Sequence, residues 1–407
     1  MTASSRAPQG GNSQDDERSP FARLAQLLSP FSPGKALINL SLGEPQHPLP
    51  DFVAPVLARH SAEFGRYPVA RGIEAFRQAA ASWLTRRFAL PRQVDPDSEV
   101  LVLNGSREGL FFAAFTALRY VGARAAAGRP AILMPNPFYP VYGMAARCAG
   151  CEAVHLPTTA ENGFLPDLAS LDAETLSRCV AFYIASPANP QGAIVQKDYF
   201  HRLLALSERF GFVILSDECY SEIYTGEVPG SVLECAGSDF AGVVSFQSLS
   251  KRSNLPGLRV GFVAGDRRFI DMFHELRNVA APQVPVPLQQ VAVAAYSDEA
   301  HVEENRRLYR RKFDLADQIL RQGCGYRRPG GGFCIWLNVS AFGSDEAVTV
   351  KLYKEAGLRV VPGSYLARVQ ADGFNPGAGY IRLAMVQNEE TTATALTRLV
   401  ETLGLSE

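Results

Sequence analysis

Lys251 stands in SFQSLSKRSNLPGLRVG, residues 245–261, a run without an acidic side chain. The apolar VVSF of residues 243–246 reads as a buried strand, and residues 258–264 read as another. Between them Pro256 and Gly257 forbid a long helix, so the lysine is expected on a short loop. In such a confined, partly dry place an amine falls below its ordinary pKa of about 10.4, and the free base is the nucleophile a Schiff base needs. Ser248, Ser250 and Arg259 flank it and together suit a phosphate dianion. The plainer alternative is a solvated surface lysine; the Ser-Leu-Ser-Lys spacing and the arginine eight residues on argue against it.

Other side chains complete a chemistry. Asp217 follows the apolar run of residues 212–215, at the mouth of a buried strand. A carboxylate there is costly without a partner, and a protonated ring nitrogen would be one; a helix N-cap is the alternative. Asn189, in NPQG, lies just past the strand of residues 180–185, where open α/β sheets bind ligands. Its amide suits a phenolate oxygen, or else the segment is a plain turn. NGSREG, residues 104–109, joins a strand (99–103) to a helix (to 118), a natural seat for phosphate. There Gly105 permits close approach, Ser106 is expected to cap the helix and bind an oxygen, and Arg107 lies beside them. Arg382, in the strand of residues 380–385, offers a planar fork that matches a carboxylate.

SLSKRSNLPGLRVG resembles the lysine signature of the fold type I, class I/II pyridoxal-phosphate aminotransferases. The resemblance covers nearly the whole chain after its first residues. It implies pyridoxal 5'-phosphate as cofactor, with Lys251 as the Schiff-base lysine and the proton carrier at the substrate Cα. It also implies Asp217 at the pyridine nitrogen, and Asn189 and Tyr220 at the O3′ side. Tyr139 of PNPFYPVY would stack on the ring; Phe138 and Tyr142 are neighbours open to confusion with it. Gly43 would lie near the substrate carboxylate, which Arg382 grips. Tyr67, in a Y-x-x-x-x-G-x-x-x-x-R pattern with Gly72 and Arg77, would cross a homodimer interface to the neighbour's phosphate. The expected reaction is a ping-pong transamination of small amino and keto acids. GSREGLFFAAF, DECYSEIY and SDEAHVEENRRLYRRKFD are similar to the succinyldiaminopimelate aminotransferases, implying glutamate and an N-succinyl amino-keto pimelate as substrates. Lys35, Arg71 and Arg107 are candidate cations for the distal carboxylates. An aspartate, aromatic or other general aminotransferase would share every one of these groups, and a pyridoxal-dependent β-lyase is a further alternative.

Strand–helix alternation over residues 67–296 predicts an α/β, doubly wound, mostly parallel sheet with helices on both faces. Residues 65–296 are expected to form the large cofactor-binding domain. Residues 21–64 and 297–407 would form a smaller α+β domain, and residues 1–20 a disordered polar tail. A Pro-rich break is expected at residues 281–289. With 407 residues, 47% hydrophobic, a large core is affordable. Forty basic against 41 acidic side chains, net −1, provide no reason to expect nucleic acid or an anionic membrane. No apolar run reaches a membrane span, and the N-terminus lacks a signal-peptide core. Seven scattered cysteines suit reduced thiols in a cytoplasm. Cys148 and Cys151 form a CxxC, but without a second pair a zinc site is not expected, and no metal is.

Overall fold

The computed structural model of the protein describes residues 18–122, 128–320 and 325–405. Most of the expected tail lies outside these residues. Within them, Ser19 caps a helix, Pro20–Leu28, by accepting from the Phe21 amide.

Among the described residues twelve strands form three sheets: β1 (Ile38–Asn39), β2 (Val100–Leu103), β3 (Ala131–Asn136), β4 (Glu152–Pro157), β5 (Cys179–Ala185), β6 (Val213–Asp217), β7 (Val243–Ser248), β8 (Gly261–Gly265), β9 (Cys334–Asn338), β10 (Leu358–Arg359), β11 (Val361–Pro362) and β12 (Tyr380–Ala384). The seven-stranded sheet has the order β2-β8-β7-β6-β5-β3-β4. Only β8 runs against its neighbours, β2 and β7; the other pairs are parallel. This is the expected mostly parallel α/β sheet. The strands alternate between two cores: Val100 and Val102 face one, Leu101 and Leu103 the other. Helices Glu74–Arg87, Lys197–Phe210 and Val286–Ser297 cover the first face, and Ser106–Val121, Pro140–Cys148 and Arg267–Ala280 the second. Each large apolar side chain buried this way is worth roughly 1.5–3 kcal/mol.

A three-stranded antiparallel sheet, β11-β12-β9, and the parallel pair β1-β10 pack separately. Ile335, Leu337 and Leu383 meet Phe313 and Leu396 there, on helices Ala300–Leu320 and Glu389–Leu403. β1 thus joins the N-terminal segment to the C-terminal third of the chain. Helix Val53–His60 packs instead on the first core of the large sheet, through Val53, Val56 and Leu57.

Several local expectations change. Lys251 is not on a loop but on a one-turn helix, Leu249–Arg252, that follows β7 directly. Residues Pro256–Leu258 form a 3₁₀ turn, so the next strand starts only at Gly261. The Pro-rich break ends early: Pro285 caps a helix with Pro287 in its first turn, where a missing N–H costs nothing. Among the described residues no helix is long and apolar enough to cross a membrane.

Candidate active site

Gly105, Asn189, Asp217, Ser248 and Lys251 lie at or just past one edge of the large sheet, the carboxyl ends of its parallel strands. Ala185, Asp217 and Phe246 lie side by side across β5, β6 and β7. Leu103, Gly261 and Ser248 do the same across β2, β8 and β7. The loops that leave this edge carry the polar groups, as open α/β sheets require.

One end suits an anion. Ser248 caps the one-turn helix, its hydroxyl accepting from the Ser250 amide at 3.2 Å and lying 3.0 Å from Ser250 Oγ. Arg259 adopts a left-handed backbone, φ 56° and ψ 46°, unusual outside glycine. Its guanidinium donates to the carbonyls of Pro256 (2.9 Å) and Asn104 (3.2 Å). Gly105, at φ 77°, lies against that guanidinium, and a Cβ there would collide with it. Helix Ser106–Val121 begins here. Its cap is Gly105, not Ser106 as expected; Ser106 is the first helical residue. Hydroxyls, a fixed cation and a helix N-terminus converge as a phosphate site would.

Asp217 ends β6. Tyr142 donates to its Oδ2 at 2.7 Å and the Cys219 amide to its Oδ1 at 3.3 Å. Burial pushes the Asp217 carboxyl above the ordinary range despite these donors. The next residue, Glu218, is also buried but is satisfied by Ser216, Ser245, Gln247 and the Val232 amide. Of the two adjacent carboxyls, Asp217 is the one placed to meet an added cation. The N-cap alternative for Asp217 fails because β6 still includes it.

Asn189 donates to Tyr220 Oη at 3.5 Å, while its Oδ1 is buried without a partner among the described residues. Lys251 Nζ donates to the Gly43 carbonyl at 2.5 Å and lies 4.9 Å from the Phe333 ring centre and 5.9 Å from that of Tyr220. Burial lowers this amine to about 8. Arg382 is buried on β12; one of its nitrogens donates to the Ser41 carbonyl at 2.6 Å, and its Nε has no partner among the described residues. An unpaired guanidinium nitrogen in a buried place invites an anion.

Tyr139 is half-buried, accepts from Arg107 Nε at 2.7 Å and meets Tyr142 edge-on at 5.7 Å. Tyr142 is the aromatic bound to Asp217, stacked on Tyr183 at 4.5 Å. It was legible in part, since it sits three residues after Tyr139 on an inward helix face. Phe138 packs away on His155. Phe333 and the Gly43 carbonyl, both against Lys251, had no spacing signal.

Tyr67 stands apart, 98% exposed. Within one chain the rest of its pattern is structural: Arg77 donates to the Gly72 carbonyl at 2.5 Å and to Asp97 at 2.6 Å. Arg71 is paired with Asp271 at 2.7 Å, and the exposed Lys35 lies 4.0 Å from Glu401. Cys148 is exposed and Cys151 buried, and the described residues hold no cluster of three metal-ligating side chains.

The donor set fits pyridoxal phosphate: an anion cradle, a buried carboxyl, the Asn189 amide and Tyr220 hydroxyl as donors, and an amine of lowered pKa at one strand edge. The chain is 38% identical to an aminotransferase from Neisseria meningitidis whose solved structure superposes with a TM-score of 0.88, covering 95% of this chain and 97% of that one. A probable N-succinyldiaminopimelate aminotransferase from Thermus thermophilus, 24% identical over 94% of this chain and all of its own, shares the fold with a TM-score of 0.80. Among curated proteins, an LL-diaminopimelate aminotransferase of Syntrophobacter fumaroxidans is 33% identical over 372 residues, 90% of this chain and 91% of its own. The model of the family "Aminotransferase class I and II" matches residues 35–399, so the protein belongs to that family of pyridoxal-phosphate-dependent enzymes.

Proposed function

We propose that this aminotransferase exchanges an amino group between glutamate/2-oxoglutarate and a diaminopimelate-type partner, at a site made of the residues assembled above. The observation that carries the reading is the Lys251 amine, lowered to about 8 by burial, facing the Tyr220 ring at 5.9 Å and within electrostatic reach of Arg382 on another strand system.

When bound, pyridoxal phosphate supplies an aldehyde for imine formation and a cationic ring that draws electrons from the substrate Cα. Gly105, Ser106, Ser248, Ser250 and Arg259 hold its phosphate in this reading, with Arg107 orienting Tyr139 at the ring. Asp217, fixed by Tyr142, holds a proton on the ring nitrogen. Asn189 and Tyr220 receive the ring oxygen. Arg382 fixes the substrate α-carboxylate beside the segment of Gly43, anchored through Ser41. Lys251 would carry the proton from the substrate Cα. The larger domain, 65–296, would bear the cofactor and the smaller one the carboxylate clamp.

Tyr67, with Phe64 at 56% and Val69 at 63% exposure beside it, supports a homodimer in which the tyrosine enters the partner's site. The proposed setting is cytoplasmic.

Two forms of the acceptor compete. The segments quoted above resemble succinyldiaminopimelate enzymes, whereas the relatives at 33% and 32% identity bear the name LL-diaminopimelate aminotransferase, which favours the free diamino acid. Titrating the visible absorbance with glutamate, aspartate, LL-diaminopimelate and its N-succinyl derivative separates them. Conversion by glutamate and one diaminopimelate form is expected. Efficient conversion by aspartate or aromatic amino acids alone would sink the substrate reading.

A further inference from the structure

Behind Lys251 a buried polar chain runs from helix Ala300–Leu320 to the N-terminal segment. Lys312 Nζ lies 2.7 Å from His47 Nε2 and donates to the Met385 carbonyl at 3.0 Å. His47 Nδ1 lies 2.6 Å from Asn305 Oδ1. Asn305 Nδ2 donates to the backbone carbonyls of Lys251 (3.1 Å) and Arg252 (3.3 Å). Every donor points the same way. The two carbonyls take the Asn305 amide nitrogen, so its oxygen faces His47, whose Nδ1–H donates and whose Nε2 accepts from Lys312.

A second path links the same residues through rings. His47 lies 4.5 Å from Tyr309, Tyr309 stacks on Phe333 at 5.7 Å, and Phe333 faces Lys251 Nζ. A Cβ at Gly43 would come within 3.2 Å of the Phe333 ring, so the segment preceding His47 rests on it. The Gly43 carbonyl is the acceptor that holds Lys251 Nζ.

We propose that His47 and Asn305 are positioning residues for Lys251. They clamp both ends of that lysine, its backbone through Asn305 and its amine through the segment carrying Gly43, while Lys312 selects the His47 tautomer. The carboxylates whose charges reach this pair, Glu304 and Glu389, are engaged by Arg307 and Arg311. Displacing a reacting group by even ~1 Å costs up to about a hundredfold in rate.

The inference rests on Lys251 being the reactive amine. It is tested in the holoenzyme with His47→Ala, His47→Gln and Asn305→Asp. Asn305→Asp keeps the acceptor toward His47 and removes both donors toward residues 251 and 252. In His47→Ala and Asn305→Asp, kcat is expected to fall about tenfold, and the pH midpoint of the substrate-free visible band to move by about half a unit. His47→Gln, which can still accept from Lys312 and donate to Asn305, should restore both. A lowered melting temperature with an unmoved band and kcat would overturn the proposal. So would a His47→Gln variant as impaired as His47→Ala. If His47→Ala does not fold, Asn305→Asp and His47→Gln decide alone. A visible band that survives Lys251→Ala would reject the underlying site instead.

Discussion

Lys251 and Lys312 are both withdrawn from water, and burial lowers both amines, to about 8 and about 7. Their surroundings make them different chemical objects. Lys312 is almost fully buried and gives its protons to two fixed acceptors, His47 Nε2 and the Met385 carbonyl. Lys251 is half-buried, meets the Gly43 carbonyl, and otherwise faces the rings of Phe333 and Tyr220 at the strand edge where Asp217 and Asn189 end. A depressed pKa is what a dry place does to any amine. A reactive amine also needs an open side that looks onto the electrophile's seat.

The strongest way to break this contrast is to delete the amine on each side. Lys251→Ala should lose the visible band and at least about four orders of magnitude in kcat, since the proposed nucleophile and proton carrier would both go. Turnover within tenfold of wild type would remove Lys251 from the chemistry. Arg382→Ala comes next, with kcat/KM for amino acids expected to drop roughly a hundredfold or more through the unpaired carboxylate; unchanged steady-state kinetics would place that carboxylate elsewhere.

A pH test sharpens the comparison. The apoprotein's rate of uptake of pyridoxal phosphate should rise about 50-fold from pH 6 to pH 8 and flatten above, following the free-base fraction of an amine with pKa about 8. A midpoint near the ordinary lysine value would mean that Lys251 is solvated. The smallest effect belongs to Lys312→Met: kcat should stay within about fivefold, because the His47–Asn305 contact survives. Its signature is in stability. The folded pKa of Lys312 lies below its unfolded value, so the unfolded chain binds more protons between about pH 7 and 10.5. Wild type should therefore gain stability across that window relative to Lys312→Met. Stabilities of the two proteins that change in parallel with pH would contradict a buried Lys312 amine of lowered pKa.

Much of the sheet was legible because its strands are apolar on both faces and punctuated by Gly, Pro and Asn. Lys251, Asp217, Asn189 and Arg259 were legible for a related reason, as polar residues abutting such runs. The failures are local and physical. Ser106 was expected to cap, but Gly105 alone tolerates the left-handed turn against Arg259. Arg71 and Lys35 carried no sign of the carboxylates, Asp271 and Glu401, that bind them. His47, Asn305 and Lys312 carried no spacing signal that would join them to Lys251.

By itself, the order of residues determined which groups are available and the face on which each strand or helix presents them, since side-chain periodicity is a property of the local backbone. Only the tertiary structure decided which of them meet. Gly43 with Lys251, Ser41 with Arg382 and Tyr142 with Asp217 are 208, 341 and 75 residues apart along the chain. Such pairs form because burying two cores brings their backbones together, and buried polar groups must then find partners wherever the packing leaves them.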